Sequence, residues 1–195
     1  LWYDNALFGD GFFHGDLHAG NIFFSPTPIP GYAPYGRDYQ LTLIDFGACA
    51  KLSKLEQRGV LSMILGAATS SPNIVVRALG DLCPMEESQR LDLEQFATDL
   101  FESGVSTSQA CNEVVNKAIE LELGLPKNFV LYNRGRAFLE NQIRDTNKEL
   151  DAWDRNGSMP RENPEKIFRN LMVWRLGQDL VKSALRMQSS QDAYL

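Results

Sequence analysis

Two short acidic turns, separated by a proline-rich excursion, constrain this chain more than any other feature. The first is His14-Gly15-Asp16-Leu17-His18-Ala19-Gly20-Asn21 and the second is Leu43-Ile44-Asp45-Phe46-Gly47. Short apolar runs flank them: Phe12-Phe13 and Ile22-Phe23-Phe24 around the first, Gln40 to Ile44 before Asp45. Brief apolar runs bounded by Gly, Asp and Asn predict short strands rather than helices. Between the two turns, the segment from Ser25 to Tyr39 holds Pro26, Pro28, Pro30, Gly31, Pro34 and Gly36. That composition predicts an extended, exposed hairpin excursion. It reads either as a contact loop near the turns or as a tolerated insertion, the second being favoured.

Upstream, residues 1–8 read as the tail of a helix that Gly9-Asp10-Gly11 breaks. Downstream of Leu52 the apolar period becomes helical. Ser53-Lys54-Leu55-Glu56 is a capping box, in which Ser53 accepts from the Glu56 amide and Glu56 reaches back, and its helix should run to about Ser70. Ser71-Pro72 predicts an N-cap and first-turn proline for a second helix ending near Asp81. Further helices are expected over 84–102, with Leu91, Leu93, Phe96, Leu100 and Phe101 apolar, then 107–123, closed by Gly124 and Pro126. Two more are expected over 128–150 and 165–187. The expected fold class is α+β and mostly helical: one domain over residues 1–195, with the turns in 1–50 and a helical bundle in 51–195.

At 195 residues the chain is long enough for one sizeable core. A net charge of -6 argues against nucleic acid as a partner, since phosphate backbones require a concentrated basic surface. Cys49, Cys83 and Cys111 are widely spaced with no C-x-x-C pair, and read as buried apolar residues in a reducing compartment. The uncharged stretch from Gly59 to Val76 contains Ser62, Thr69, Ser70, Ser71, Pro72 and Asn73, and is too polar and broken to span a bilayer. No signal peptide can be read, and the first residue is Leu1.

The residue types in the two turns suit the handling of phosphate. Transferring a γ-phosphoryl group needs mainly positioning and charge neutralisation. Asp16 is placed to orient an acceptor hydroxyl or water and take its proton. Asn21, short and neutral, and Asp45, at a strand end, make a reasonable oxygen pair for Mg²⁺, which keeps few protein ligands beside phosphate oxygens and waters. His14 and His18 invite a zinc reading, but the stretch is glycine-rich and no third His exists, so they read as braces of the loop. Gly9-Asp10-Gly11 fails the G-x-G-x-x-G spacing and is a turn.

The order H-x-D-x-x-x-x-N followed by D-F-G matches the catalytic-loop and metal-loop signatures of protein kinases. The wording Gly11-Phe12-Phe13-His14-Gly15-Asp16-Leu17-His18-Ala19-Gly20-Asn21-Ile22 resembles the UbiB family of AarF-domain atypical kinases, and Leu43-Ile44-Asp45-Phe46-Gly47 with Leu52 and Arg58 strengthens the likeness. It is sharp over residues 8–60. The resemblance implies a protein-kinase-like C-lobe whose short hairpin elements carry the catalytic and metal loops. It implies Asp16 as catalytic aspartate, Asn21 and Asp45 as Mg²⁺ and nucleotide ligands, and Mg²⁺ and ATP as cofactors. Family members act as ATPases or unorthodox kinases linked to isoprenoid-quinone (ubiquinone) biosynthesis or lipid homeostasis, at mitochondrial, plastid or bacterial membranes.

The family's K-x-G-Q helix motif and alanine-rich nucleotide loop are absent from this chain, as is any Val-Ala-Ile-Lys-like clamp. Such elements form an N-lobe, expected before Leu1 and packing against this chain, which alone should bind ATP poorly. The gap from Asn21 to Asp45 is also longer than in a compact member. Two alternatives stand beside the UbiB reading. One is a small-molecule phosphotransferase of the aminoglycoside or choline kinase type, which shares H-G-D-x-H-x-x-N. The other is a catalytically silent lipid- or protein-binding fragment. In the helix expected over 165–187, Arg175, Lys182 and Arg186 flank two apolar stripes. Docking on an anionic membrane is one reading; a helix buried on two sides with a solvated basic edge is the favoured one.

Overall fold

A computed structural model describes residues 2–25 and 40–153, together with the helical residues Lys166, Asn170 and Arg175. The contacts group into two compact units, residues 1–146 and 147–195, where the sequence reads as one domain. The candidate site lies in the first. The Ser25–Tyr39 excursion, apart from Ser25 itself, and most of the helix expected over 165–187, with Lys182 and Arg186, fall outside the described residues.

The order of elements is α1 (Trp2–Leu7), β1 (Phe12–His14), β2 (Ile22–Ser25), β3 (Gln40–Leu43), β4 (Cys49–Lys51), α2 (Lys54–Ala68), α3 (Pro72–Gly80), α4 (Glu87–Glu102), α5 (Thr107–Glu120) and α6 (Lys127–Trp153). The α+β, mostly helical class expected from the sequence is what forms. One strand was not expected: β4, a Cys-Ala-Lys triplet with too little apolar character to announce itself. It matters because the strands form two nested antiparallel pairs. β1 pairs with β4 in the register Phe12↔Lys51, Phe13↔Ala50, His14↔Cys49. β2 pairs with β3 in the register Ile22↔Leu43 through Ser25↔Gln40. Nesting forces the turn after β1 and the turn after β3 to the same end of both ladders.

The helices begin and end by local chemistry. At α2 the Ser53 hydroxyl accepts from the Glu56 amide at 3.2 Å and the Ser53 amide donates to the Glu56 carboxylate at 2.7 Å, the expected capping box. Ser71, expected to cap α3 with its side chain, instead donates its hydroxyl to the Thr69 carbonyl at 3.2 Å. Pro72 at the first turn still fixes the start. α4 starts at Glu87, three residues after the expected Pro84, because Glu86 and Gln89 cap it through a Glu86 amide to Gln89 side-chain bond of 2.9 Å. α5 stops at Glu120; Glu122, rather than Gly124, takes the left-handed backbone (φ 58°) that turns the chain.

The uncharged stretch between Gly59 and Val76 is the centre of the core. Val60, Met63, Ala67, Val75 and Val76 are buried where α2 packs on α3, and Val114 and Cys111 of α5 are buried with them. No helix among the described residues is long and apolar enough to cross a membrane. On α4 only Leu93 and Ala97 are fully buried, while Leu91, expected in the apolar face, is exposed.

α6 underlies the turns. Tyr132 stacks on Trp2 with ring centroids 5.1 Å apart and meets Phe13 edge-on at 5.6 Å. Gly135 lies against the first turn so closely that a Cβ there would come within 3.0 Å of the Gly15 Cα and the His14 carbonyl oxygen. A Cβ on Gly15 would in turn meet Leu131 at 2.5 Å. Only glycine at both positions allows the helix and loop backbones to touch.

Candidate functional site

The first turn is closed by its own histidine. The His14 Nδ1 accepts from the Asp16 amide at 3.2 Å, so Nε2 carries the proton, and it lies 3.0 Å from the Ile44 carbonyl oxygen, to which it donates. One imidazole thus ties the residue before Asp45 to the residue beginning the Asp16 turn. The Trp2 indole donates to the His14 carbonyl at 3.0 Å from the other side. His18 braces more locally, its Nδ1 accepting from the Gly20 amide at 3.1 Å. The reading of both histidines as loop braces therefore describes what they do.

Backbone bonds continue the ladders across the gap between the strand pairs. The Gly15 amide donates to the Ala48 carbonyl at 2.9 Å, and the Ile44 amide to the Asn21 carbonyl at 3.0 Å. Asn21 is 5% exposed, and its Nδ2 donates to the Asp16 carbonyl at 3.0 Å. That bond orients the amide and leaves Oδ1 as its acceptor. Asp45 adopts a left-handed backbone (φ 58°, ψ 67°), and one carboxylate oxygen accepts from the Gly47 amide at 3.4 Å. Its side chain is exposed, as is Phe46, whose ring meets His14 edge-on at 5.7 Å. The three candidate residues, Asp16, Asn21 and Asp45, thus stand on adjoining segments joined by these hydrogen bonds.

The chemistry of the donors fits Mg²⁺ better than a transition metal. Among the described residues no group of three or more His, Cys, Asp or Glu side chains is placed to hold a metal ion. An oriented amide oxygen and one carboxylate, next to open space at Asp45, are a partial set of hard ligands of the kind Mg²⁺ completes with phosphate oxygens and water. Cys49, next to this turn, is half-buried; burial and then Asp45 raise its thiol pKa, so it is not an activated nucleophile.

One residue at the site escaped the sequence reading. Arg134 of α6 reaches Asp16 with Nη2 at 3.4 Å from Oδ1, while His18 Nε2 lies 3.8 Å from Oδ2. Nothing around Arg134 resembles a motif. The available signal was Gly135 inside a helical pattern, since an interior glycine marks a close backbone approach.

Residues 2–79 match the sequence model of the ABC1 atypical kinase-like domain, a span that contains both turns. The chain is 26% identical over 156 residues to a protein named probable protein kinase UbiB from Histophilus somni (strain 129Pt), covering 76% of this chain and 27% of that protein. The similarly named protein of Xanthomonas oryzae pv. oryzae is 25% identical over 171 residues, covering 84% of this chain and 29% of the other. Uncharacterized protein L702 of Acanthamoeba polyphaga mimivirus is 29% identical over 120 residues, 57% of this chain and 14% of that one. The chain therefore spans less than a third of the length of the curated relatives it matches. No solved structure matches it. With its two turns inside the matched span and UbiB proteins similar over most of its length, the chain resembles the ABC1, or UbiB-type, atypical kinases.

Proposed function

We propose that the site handles the γ-phosphate of ATP in an Mg²⁺-dependent kinase or ATPase of the UbiB type. The observation that carries this reading is the nested strand pairing, which sets the Asp16–Asn21 and Asp45–Gly47 turns side by side with His14 bridging them. In the proposed reaction Asp16 takes the proton of an acceptor hydroxyl or water as that oxygen bonds to the γ-phosphorus. The bond from phosphorus to the bridging oxygen breaks, and ADP leaves. Asn21 and Asp45 would hold Mg²⁺, which when bound neutralises charge on the phosphates. His14 keeps both turns in register, and Gly47 steadies the Asp45 carboxylate.

The remaining contacts to the nucleotide would come from an N-terminal lobe packing against this chain, and the greater length of the relatives has room for one. A role in isoprenoid-quinone biosynthesis or lipid homeostasis at a membrane is carried by the UbiB resemblance alone. The decisive experiment measures Mg²⁺-dependent ATP turnover in the intact protein. Asp45→Asn should lose roughly a hundredfold or more, and Asp16→Asn should lower kcat more than it raises the KM for ATP. Near-normal turnover by Asp45→Asn, with the variant folded, would discard the metal role.

A further inference from the structure

We infer that Arg134 is a positioning residue for the Asp16 carboxylate, an inference that rests on the proposed role of Asp16. The contact joins residues 118 apart in sequence, so it belongs to the tertiary structure rather than to local helix chemistry. Three features deliver the guanidinium to that spot. The Gly15–Gly135 approach sets the backbone of α6 directly against the Asp16 loop, fixing the height of Arg134 along it. The Phe138 ring, one turn on, lies beneath the guanidinium at 5.3 Å and limits its swing. Tyr132, two residues before it, is locked between Trp2 and Phe13.

The geometry divides the two carboxylate oxygens. Arg134 engages Oδ1, while among the described residues Oδ2 has His18 as its nearest charged neighbour, at 3.8 Å and beyond hydrogen-bond distance. Oδ2 is therefore the oxygen presented to an acceptor's proton, and Arg134 selects the rotamer that presents it. The arginine side chain is 61% exposed against 25% for Asp16, so the pair is a screened one and its effect on rate is modest.

The test compares Arg134→Gln, Arg134→Lys, Asp16→Asn and the Arg134→Gln/Asp16→Asn double variant of the intact protein in Mg²⁺-dependent ATP turnover. Arg134→Gln should lower kcat about two- to fivefold with an unchanged KM for ATP and an unchanged Tm, the size expected for an exposed ion pair. Arg134→Lys should recover part of the loss, and in the Asp16→Asn background Arg134→Gln should cost nothing more. A raised KM with unchanged kcat would make Arg134 a nucleotide contact instead. An equal loss in the Asp16→Asn background would show that it acts apart from Asp16, and a fallen Tm would make its role structural. Full kcat in Arg134→Gln beside a crippled Asp16→Asn overturns this inference alone; full kcat in Asp16→Asn overturns the reading of the site beneath it.

Discussion

Two arginine–carboxylate pairs start two residues apart on α6 and have opposite physical characters. Arg134 reaches outward to Asp16 in a single 3.4 Å contact. Arg136 turns inward, its Nη1 at 3.1 Å from a Glu140 oxygen, both side chains about 5% exposed or less. Residues two apart on a helix lie on nearly opposite faces, so adjacent positions meet solvent and core respectively. The inner pair survives burial because most of its polar groups are also bonded, Arg136 Nε being the exception. The Tyr3 hydroxyl donates to Glu140 at 2.9 Å, the Ser108 hydroxyl donates to its other oxygen, and Arg136 donates to Asn112 at 2.6 Å. This network ties α1, α5 and α6 together. The outer pair can be exchanged cheaply, which suits a site; the inner one cannot, which suits a frame.

The comparison is broken most directly at Glu140. Glu140→Ala leaves Arg136 as an unpaired buried cation and should cost about 3–5 kcal/mol of stability, read by chemical denaturation. A loss under 1 kcal/mol would mean that the inner pair is as dispensable as the outer. Next in size is Gly135→Ala, whose methyl group would press on the Gly15 Cα and His14 carbonyl oxygen. It should cost about 1–3 kcal/mol by overpacking and lower ATP turnover with it. Unchanged melting and turnover would show that α6 does not seat the loop.

Cys111 sharpens the same contrast, because it lies beside the inner pair. Burial, relieved in part by Arg136, pushes its thiol up to about 11. Raising the pH from 7 to 9 should therefore leave native Cys111 protonated, and its alkylation should stay slow until the chain unfolds and the pKa falls back near 9. Since the folded value is the higher one, this contribution to stability is present below pH 9 and lost as pH rises towards 11. Mass-spectrometric labelling in which native Cys111 reacts as fast as the unfolded thiol would contradict that burial. The smallest effect belongs to Arg134→Gln, which should change stability by less than about 1 kcal/mol while slowing turnover.

Much of the helical half was legible because its signals are local. A Ser-x-x-Glu box, a first-turn proline and a glycine after an apolar run each act within one turn of helix, and α2, α3 and α4 start or stop within a few residues of where those signals lie. What failed was also local chemistry, settled by competition: Ser71 bonds Thr69 rather than capping, and Glu122 takes the left-handed turn ahead of Gly124. The two turns were legible as a pair because H-x-D-x-x-x-x-N and D-F-G are each written in neighbouring residues. The strand that pairs with β1 was not, since Cys49-Ala50-Lys51 carries no alternating apolar pattern.

The sequence by itself determined the mostly helical class, the two acidic turns and the likeness to UbiB-type kinases, because each is written in residues close together along the chain. Only the tertiary structure decided that β4 closes on β1, that His14 spans to Ile44, and that α6 sends Arg134 to Asp16 and Arg136 to Glu140. An arginine's environment depends on which helix face meets the core. That is fixed by packing between segments more than a hundred residues apart, and no local pattern encodes it.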